Sequence, residues 1–420
     1  MAKSLLVRLA ALIAVASCAA VATGRASLED IPSTESELSP AQVTVQTSTE
    51  TRKALTEMSG FDACDAWQPA IEILKAAYDA GGRDADLFEE LAALELKAGL
   101  AAASKHLDEA RSLYPSDARF ILWSAVAASA AKDDSKAAGL LAEGLKAAGE
   151  DEVALYDMAE RFLRRGALSV AAPLYRRINE VYPKDSMFDM FSVLHLASYY
   201  GLIQRYKEAS EILKANRMVF EYAEVGVLTT PECDYIGECF AGLAAIKAGD
   251  SAAGLDILRN AAARFPRGLV ADGEIVKALD AAGKKEEADG VYAIVSRLLN
   301  EAIGKEPEKA EAWYNLAFFV AAAGRKNDEG LRAAQWALRL APLRPDYLAT
   351  RAAILEVFGK YDEALVAIQR AMVLVSVPRW MDPGEYDEMM WRRLDLLEKT
   401  GKAVPAAFRR LPGPATAPSH

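Results

Sequence analysis

Apolar residues recur at intervals of three and four positions along most of this 420-residue chain. In the stretch "AEAWYNLAFFVAAAGRKNDEGLRAAQWALRLAP", Trp313 and Val320 lie on one face of a helix that Gly324 ends. A second helix follows, with the small residues Gly330 and Ala337 on one face. Large side chains on the first helix and small ones on the second allow the two helices to pack closely. The pattern therefore predicts a helix hairpin.

Eight stretches of the chain share this spacing, which predicts a tandem array of hairpins. The best match is "VALYDMAERFLRRGALSVAAPLYRRINEVYP", where Leu155, Gly166, Ala171 and Tyr175 all fall in register. The eight stretches lie at about 85–115, 118–149, 153–183, 190–216, 235–266, 269–295, 310–342 and 345–371.

These residues resemble the tetratricopeptide repeat, a helix-turn-helix unit of about 34 residues. The resemblance covers residues 85 to about 400 and implies an all-α fold. The expected architecture is a right-handed superhelical solenoid of antiparallel helix hairpins, with about eight repeats plus capping helices. The resemblance also implies a concave groove lined mainly by the first helix of each hairpin.

Other segments flank or interrupt the array. The stretches "AWQPAIEILKAAYDA" and "PGEYDEMMWRRLDLLEKTG" are expected to cap its two ends. The segment after Asn216 predicts an extended helix or a projecting loop, and the segment after Val295 predicts a lengthened helix. We expect the solenoid to span residues 57–402 and a disordered tail to follow at 403–420.

The first residues have the features of an export signal. Lys3 and Arg8 accompany an apolar run from Leu9 to Ala22, which is too short to span a bilayer. The sequence Val15-Ala16-Ser17-Cys18 resembles the bacterial lipobox, in which cleavage before the cysteine leaves a thiol that carries lipid. The alternative is ordinary cleavage after the A-x-A sequence Ala20-Val21-Ala22.

The lipobox is favoured, and it predicts where the protein resides. We expect a lipoprotein-type signal at 1–17, a lipid on Cys18 and a flexible Ser/Thr/Glu-rich tether at 18–56. Alanine after the cysteine favours, by analogy with such lipoproteins, the periplasmic side of a bacterial outer membrane. Cleavage after Ala22 would instead give a soluble periplasmic protein.

Charge and motif content bear on the class of function. A formal net charge of −11 without basic clusters argues against nucleic-acid binding. The three histidines, His106, His195 and His420, are widely separated, which predicts no metal site. The sequence contains neither a Walker-type loop nor a nucleophile elbow. We therefore expect no cofactor, no catalytic residue and no enzyme activity.

Three cysteines follow Cys18, namely Cys64, Cys233 and Cys239. If the last two share one helix, their Cα atoms are separated by about 9 Å of rise, whereas a disulfide tolerates about 4.4–6.8 Å. Buried thiols are the favoured prediction. A bridge to Cys64 and a redox role remain alternatives.

In the family, certain positions of the first helices face the ligand. In the middle of this array those positions hold aromatic and polar side chains of the kind that dominates binding energy. The predicted groove residues are Trp123, Tyr156, Phe191, His195, Phe240, Tyr314, Asn315 and Phe318. The alternative is that several are core residues, because a shift of one or two positions turns a groove residue inward.

Two functions of different class are compatible with this pattern. The favoured hypothesis is a cell-envelope scaffold that binds a protein or peptide partner in an aromatic concave groove, without catalysis. The alternative is an accessory lipoprotein that binds a small apolar ligand for a membrane transporter. The sequence does not identify the partner.

Overall fold

The computed structural model describes helices and the turns between them, at residues 53–56, 58, 65–181, 186–222, 230–265, 269–375, 383–402 and 404–411. The all-α class predicted from the periodicity is confirmed for these residues. A short 3-10 helix, Ala406–Phe408, lies near the C-terminus. The α-helices of the described residues are α1 (Trp67–Asp79), α2 (Ala85–Lys97), α3 (Ala102–Leu113), α4 (Ala118–Ala130), α5 (Asp134–Ala147), α6 (Glu152–Arg164), α7 (Leu168–Val181), α8 (Met187–Leu202), α9 (Tyr206–Ala215), α10 (Arg217–Tyr222), α11 (Thr230–Lys247), α12 (Ser251–Arg264), α13 (Leu269–Ala281), α14 (Lys285–Lys305), α15 (Ala310–Ala323), α16 (Asp328–Leu340), α17 (Pro345–Val357), α18 (Tyr361–Leu374) and α19 (Pro383–Lys399).

Consecutive helices pack in pairs, which confirms the predicted hairpins. The pairs are α2 with α3, α4 with α5, α6 with α7, α8 with α9, α11 with α12, α13 with α14, α15 with α16 and α17 with α18. The short helix α10 occupies part of the segment after Asn216 where an extension or a loop was predicted. The predicted lengthening after Val295 is also observed, since α14 runs for 21 residues.

Local sequence chemistry sets the turn inside each hairpin. Gly324 ends α15 with a left-handed backbone conformation, φ +66°, which a residue with a Cβ adopts only with strain. Two second helices, α5 and α12, begin at an aspartate cap. The carboxylates of Asp133 and Asp250 accept hydrogen bonds at 3.0 Å from the backbone N–H groups of Lys136 and Ala253. These signals depend only on neighbouring residues, so they are readable from sequence.

Small residues lie where the two helices of a hairpin cross. A Cβ placed on Gly144 of α5 would come within 2.6 Å of Leu122 Cδ2 on α4, which leaves no room for a larger side chain. Ala171 and Ala364, predicted to lie at such crossings, are both buried. The register of these hairpins is therefore the predicted one, and the close approach depends on glycine and alanine.

The described residues form two units. The long unit comprises those of residues 150–402, and the short unit comprises those of 53–149 together with 404–411. This corrects the predicted tail at 403–420, because Phe408 and Leu411 are buried in the short unit. The predicted tether at 18–56 is also shorter than expected, because residues 53–56 are helical and Ala54 is buried against α1 and α2.

Candidate partner-binding site

In the short unit, residues 404–411 cover the predicted groove residue Trp123. This tryptophan lies on α4, and its ring centroid is 6.0 Å from that of Phe408. Trp123 and Phe408 are both fully buried. Val404 and Leu411 are also buried, so the eight residues 404–411 pack against this unit through apolar side chains. The surface expected to bind a partner is therefore occupied by the chain itself.

A partly buried ion network lies at the start of α4 in the same unit. Arg119 pairs with Asp86 at 3.0 Å, with Glu89 at 2.9 Å and with Asp117 at 2.6 Å. Burial lowers the pKa of Arg119, but the hydrogen bond to Asp117 and the charges of Glu89 and Asp117 raise it further than burial lowers it. Asp86 and Glu89 thus hold neighbouring hairpins together.

In the long unit, the C-terminal helix α19 packs against α8 and contacts α6. Its Asp387 Oδ2 lies 2.9 Å from Nδ1 of His195 on α8. The other ring nitrogen of His195, Nε2, lies 3.3 Å from Oε1 of Glu160 on α6. Tyr175 stacks on the imidazole at 4.2 Å and donates a hydrogen bond of 2.7 Å to Glu160. We call these four residues the histidine cluster.

The two carboxylates of the histidine cluster favour the protonated form of His195. Burial lowers the pKa of His195, but the charge of Asp387 and the hydrogen bonds to Asp387 and Glu160 raise it to about 10. Burial raises the pKa of Asp387, whereas the hydrogen bond and charge of His195 outweigh burial and lower the pKa of Glu160. The imidazolium is therefore held between two carboxylates, and both of its N–H groups are used.

Two further predicted groove residues lie beside the histidine cluster. The ring of Tyr156 on α6 is 6.3 Å from that of Phe191 and 6.4 Å from that of His195. Tyr156 and Phe191 are half-buried. Burial raises the pKa of the Tyr156 hydroxyl well above its usual range. The structure thus brings together Tyr156, Phe191 and His195, which the sequence placed on two successive hairpins.

Apart from Asn315, the other predicted groove residues lie in the interior. Phe240 stacks on Tyr206 at 6.4 Å, and Tyr314 stacks on Tyr347 at 4.5 Å, with Phe318 5.8 Å from Tyr314. Asn315 is half-buried. The exposed fractions of four side chains, Trp123, Phe240, Tyr314 and Phe318, are all 3% or less, so solvent barely reaches them.

This burial corrects the expectation that these four aromatics line an open surface. A first helix in a stacked array touches its own partner and the next hairpin, so large side chains on several of its faces become core. Their role in binding a partner stays a prediction.

Sequence reasoning missed Asp387 as a site residue. The signal for Asp387 was present, because it lies three and seven residues before Met390 and Leu394, which share its helix face and are buried. An acidic residue on an apolar helix stripe indicates a buried partner charge. Nothing local indicated which residue that partner would be.

Other predicted features have the following outcomes. Cys233 and Cys239 are buried on α11 and are not joined by a disulfide, and burial raises the pKa of Cys233 to about 12. Cys18, Cys64, the signal at 1–17 and most of the tether lie outside the described residues. Within the described part, the side chains of His, Cys, Asp and Glu form no cluster suited to a metal ion, and no helix is long and apolar enough to cross a membrane.

No model of a protein family matches this sequence, and no curated protein matches it either. Solved structures with similarity to the chain include the protein described as MamA MSR-1 C2, at 20% identity over 42% of this chain and 91% of that one, with a TM-score of 0.19. The P58(IPK) TPR domain is 16% identical over 83% of this chain and 99% of its own, with a TM-score of 0.22. Yeast Tom70 is 16% identical over 84% and 85%, also with a TM-score of 0.22. The helix-hairpin architecture itself rests on the helix contacts within this chain.

Proposed function

We propose that this chain is a non-catalytic scaffold of the bacterial cell envelope that binds a protein or peptide partner on the first helices of its hairpins. The observation that carries the proposal is that such a surface already holds a peptide: residues 404–411 lie against α4 through buried apolar side chains. Helix-hairpin arrays offer long surfaces of this kind for extended or helical segments.

The aromatic side chains also support a binding role. Tyr156 and Phe191 lie on first helices and are only half-buried, so both retain surface that a partner can cover. Aromatic residues in such positions contribute most of the binding energy at many interfaces, because they bury large areas at a small cost in side-chain entropy. These two residues are therefore the most useful positions for probing a partner.

Site-specific photocrosslinking in intact cells tests the proposal. A photoreactive phenylalanine analogue at Phe191 is expected to give adducts of one defined mass, because a bound partner would lie within reach. The matched control is the same analogue at Val366 on the second helix α18, where 55% of the side chain is exposed. Equal adduct patterns from both positions, or none from Phe191, would contradict a partner site on the first helices.

The envelope location is a separate part of the proposal and rests on the lipobox at Cys18. Metabolic labelling with an alkyne fatty acid is expected to label the wild-type protein and to place it in the membrane fraction. A Cys18→Ser variant is expected to remain unlabelled. An unlabelled wild-type protein in the soluble periplasmic fraction would favour cleavage after Ala22 instead.

A further inference from the structure

The segment "VPAAFRRL", residues 404–411, has the features of a binding peptide rather than of another hairpin helix. Four of its apolar side chains are buried, namely Val404, Ala407, Phe408 and Leu411. They fall at the first, fourth, fifth and eighth positions, and Ala406–Phe408 form a short 3-10 helix at the centre of the segment. Ala406 and Arg410 are exposed. The segment therefore contacts the short unit through four buried side chains and leaves part of its own surface exposed.

The segment makes its own backbone hydrogen bonds. The N–H of Phe408 donates to the carbonyl of Pro405 at 3.0 Å, and the N–H groups of Arg409 and Arg410 donate to the carbonyl of Ala406 at 2.9 Å. These bonds form a compact turn within the segment. Its aromatic side chain packs on the receiving surface, with the ring of Phe408 6.0 Å from that of Trp123.

Helix α19, which precedes residues 404–411 in the sequence, is held in its unit by more contacts than that segment is. Almost every residue of α19 between Asp387 and Leu397 is buried, and Asp387 and Arg392 are ion-paired inside the long unit. A helix buried on most sides is an integral part of its unit. Residues 404–411 bury four side chains and leave Ala406 and Arg410 exposed, so fewer contacts hold this segment than hold α19, and it can leave its surface more easily.

We propose that residues 404–411 are an internal ligand, which occupies the peptide-binding site at Trp123 that a segment of a partner protein takes in its place. The partner segment has the same chemistry at the buried positions: apolar side chains at its first, fourth, fifth and eighth positions, small at the fourth and aromatic at the fifth. This inference rests on the proposed scaffold function and names the partner class at one of its surfaces.

Competition between the two ligands follows from their connectivity. A segment of the same chain is present at its site without having to diffuse there as a separate molecule, so a partner peptide must compete with it. The apparent affinity for the partner falls by the fraction of sites that the internal ligand leaves open. Weakening the internal ligand without altering the site is therefore expected to tighten the binding of an added peptide.

The test uses the full-length chain and a fluorescein-labelled peptide of sequence VPAAFRRL, measured by fluorescence anisotropy. We expect the peptide to bind the Phe408→Ala variant about tenfold more tightly than the wild type. An Ala406→Ser variant is the matched control, because that side chain is exposed in the same segment, and it is expected to bind as the wild type does. A peptide with alanine in place of its phenylalanine is expected to lose about tenfold in affinity or more.

A milder variant guards against unfolding. Phe408→Leu keeps most of the buried volume while loosening the anchor, and circular dichroism reports whether each variant is folded. Equal peptide binding by folded wild type, Phe408→Leu and Phe408→Ala would overturn the proposal, as would loss of helical signal in both variants, because the segment would then be permanent core. A shift to a dimer mass in light scattering, with no peptide binding, would also overturn it by identifying a second copy's segment as the occupant.

The two experiments distinguish a failure of the internal-ligand proposal from a failure of the scaffold function. The crosslinking experiment probes Phe191 in the long unit, whereas the peptide experiment probes Trp123 in the short unit. If Phe191 gives crosslinks but the added peptide does not compete with residues 404–411, the scaffold proposal stands and the internal-ligand proposal fails.

Discussion

An Asp387→Ala variant is expected to lose about 3–5 kcal/mol of the stability of the long unit, because it leaves a buried charge without one of its two partners. Asp387 is only 2% exposed and lies 2.9 Å from the ring of His195, which is 3% exposed. Glu160 remains on the other side of the ring at the longer distance of 3.3 Å. In the buried site, the carboxylate of Glu160 alone cannot compensate the charge of His195 as the two carboxylates do.

Hydrogen exchange of α8 and α19, measured by mass spectrometry over a urea series, reports this loss in the long unit alone. Glu398→Ala is the matched control, since Glu398 is exposed on the same helix, and we expect a change within about 0.5 kcal/mol. Adding His195→Gln to Asp387→Ala is expected to restore part of the stability, because the uncompensated charge is removed. An Asp387→Ala protein as stable as the wild type would show that the ion pair contributes nothing.

The stability of the long unit is expected to fall as pH rises from about 6.5 to about 10. The folded pKa of His195, about 10, lies above the ordinary value of 6.5. A raised pKa means that the folded state binds the proton more tightly, so the contribution is complete below pH 6.5 and is lost as pH approaches 10. The slope from one such group is at most about 1.4 kcal/mol per pH unit.

The other titratable groups that face His195 change stability mainly outside the pH range from about 6.5 to about 10. The lowered pKa of Glu160 adds stability above its ordinary value of 4.5, which is lost only as pH falls below that value. The raised pKa of Asp387 favours the folded state at low pH, and its contribution begins to fall above the ordinary value of 3.8. The raised pKa values of Tyr156 and Tyr175 change stability only above their ordinary value of 10.0.

Urea unfolding of the wild type and of His195→Gln at pH 7, 8 and 9 measures the contribution of the imidazolium. We expect the free energy of unfolding to fall more steeply with pH in the wild type than in the variant, because other titrating groups are common to both. Parallel pH profiles would show that His195 is not protonated in the folded protein, and would remove the charged centre from the histidine cluster.

Much of the fold was predictable because its signals are local. The spacing of apolar residues placed the eight hairpins, and Gly324 ends its helix where predicted, since only the residues beside it decide that turn. The crossing positions Ala171 and Ala364 were also correctly identified. Repeated hairpins meet only their neighbours, so the same local rules apply along the array.

The candidate site was only partly predictable. Tyr156, Phe191 and His195, all predicted to line the groove, lie together on first helices, although His195 is buried rather than open to a groove. Whether a given side chain faces a groove or the core depends on one or two positions of register. Phe240 and Phe318 illustrate the difficulty, since both occupy positions expected to face a ligand and both are buried.

By itself, the sequence determined the helices, their turns, their pairing into hairpins and the small residues at the crossings, because each depends on contacts within about one repeat. Only the tertiary structure decided what covers the first helices. His195 and Asp387 are 192 residues apart along the chain, and Trp123 meets Phe408 across a still longer separation. Such contacts depend on how the whole array stacks, through small rotations that add from repeat to repeat, and no local pattern records that sum.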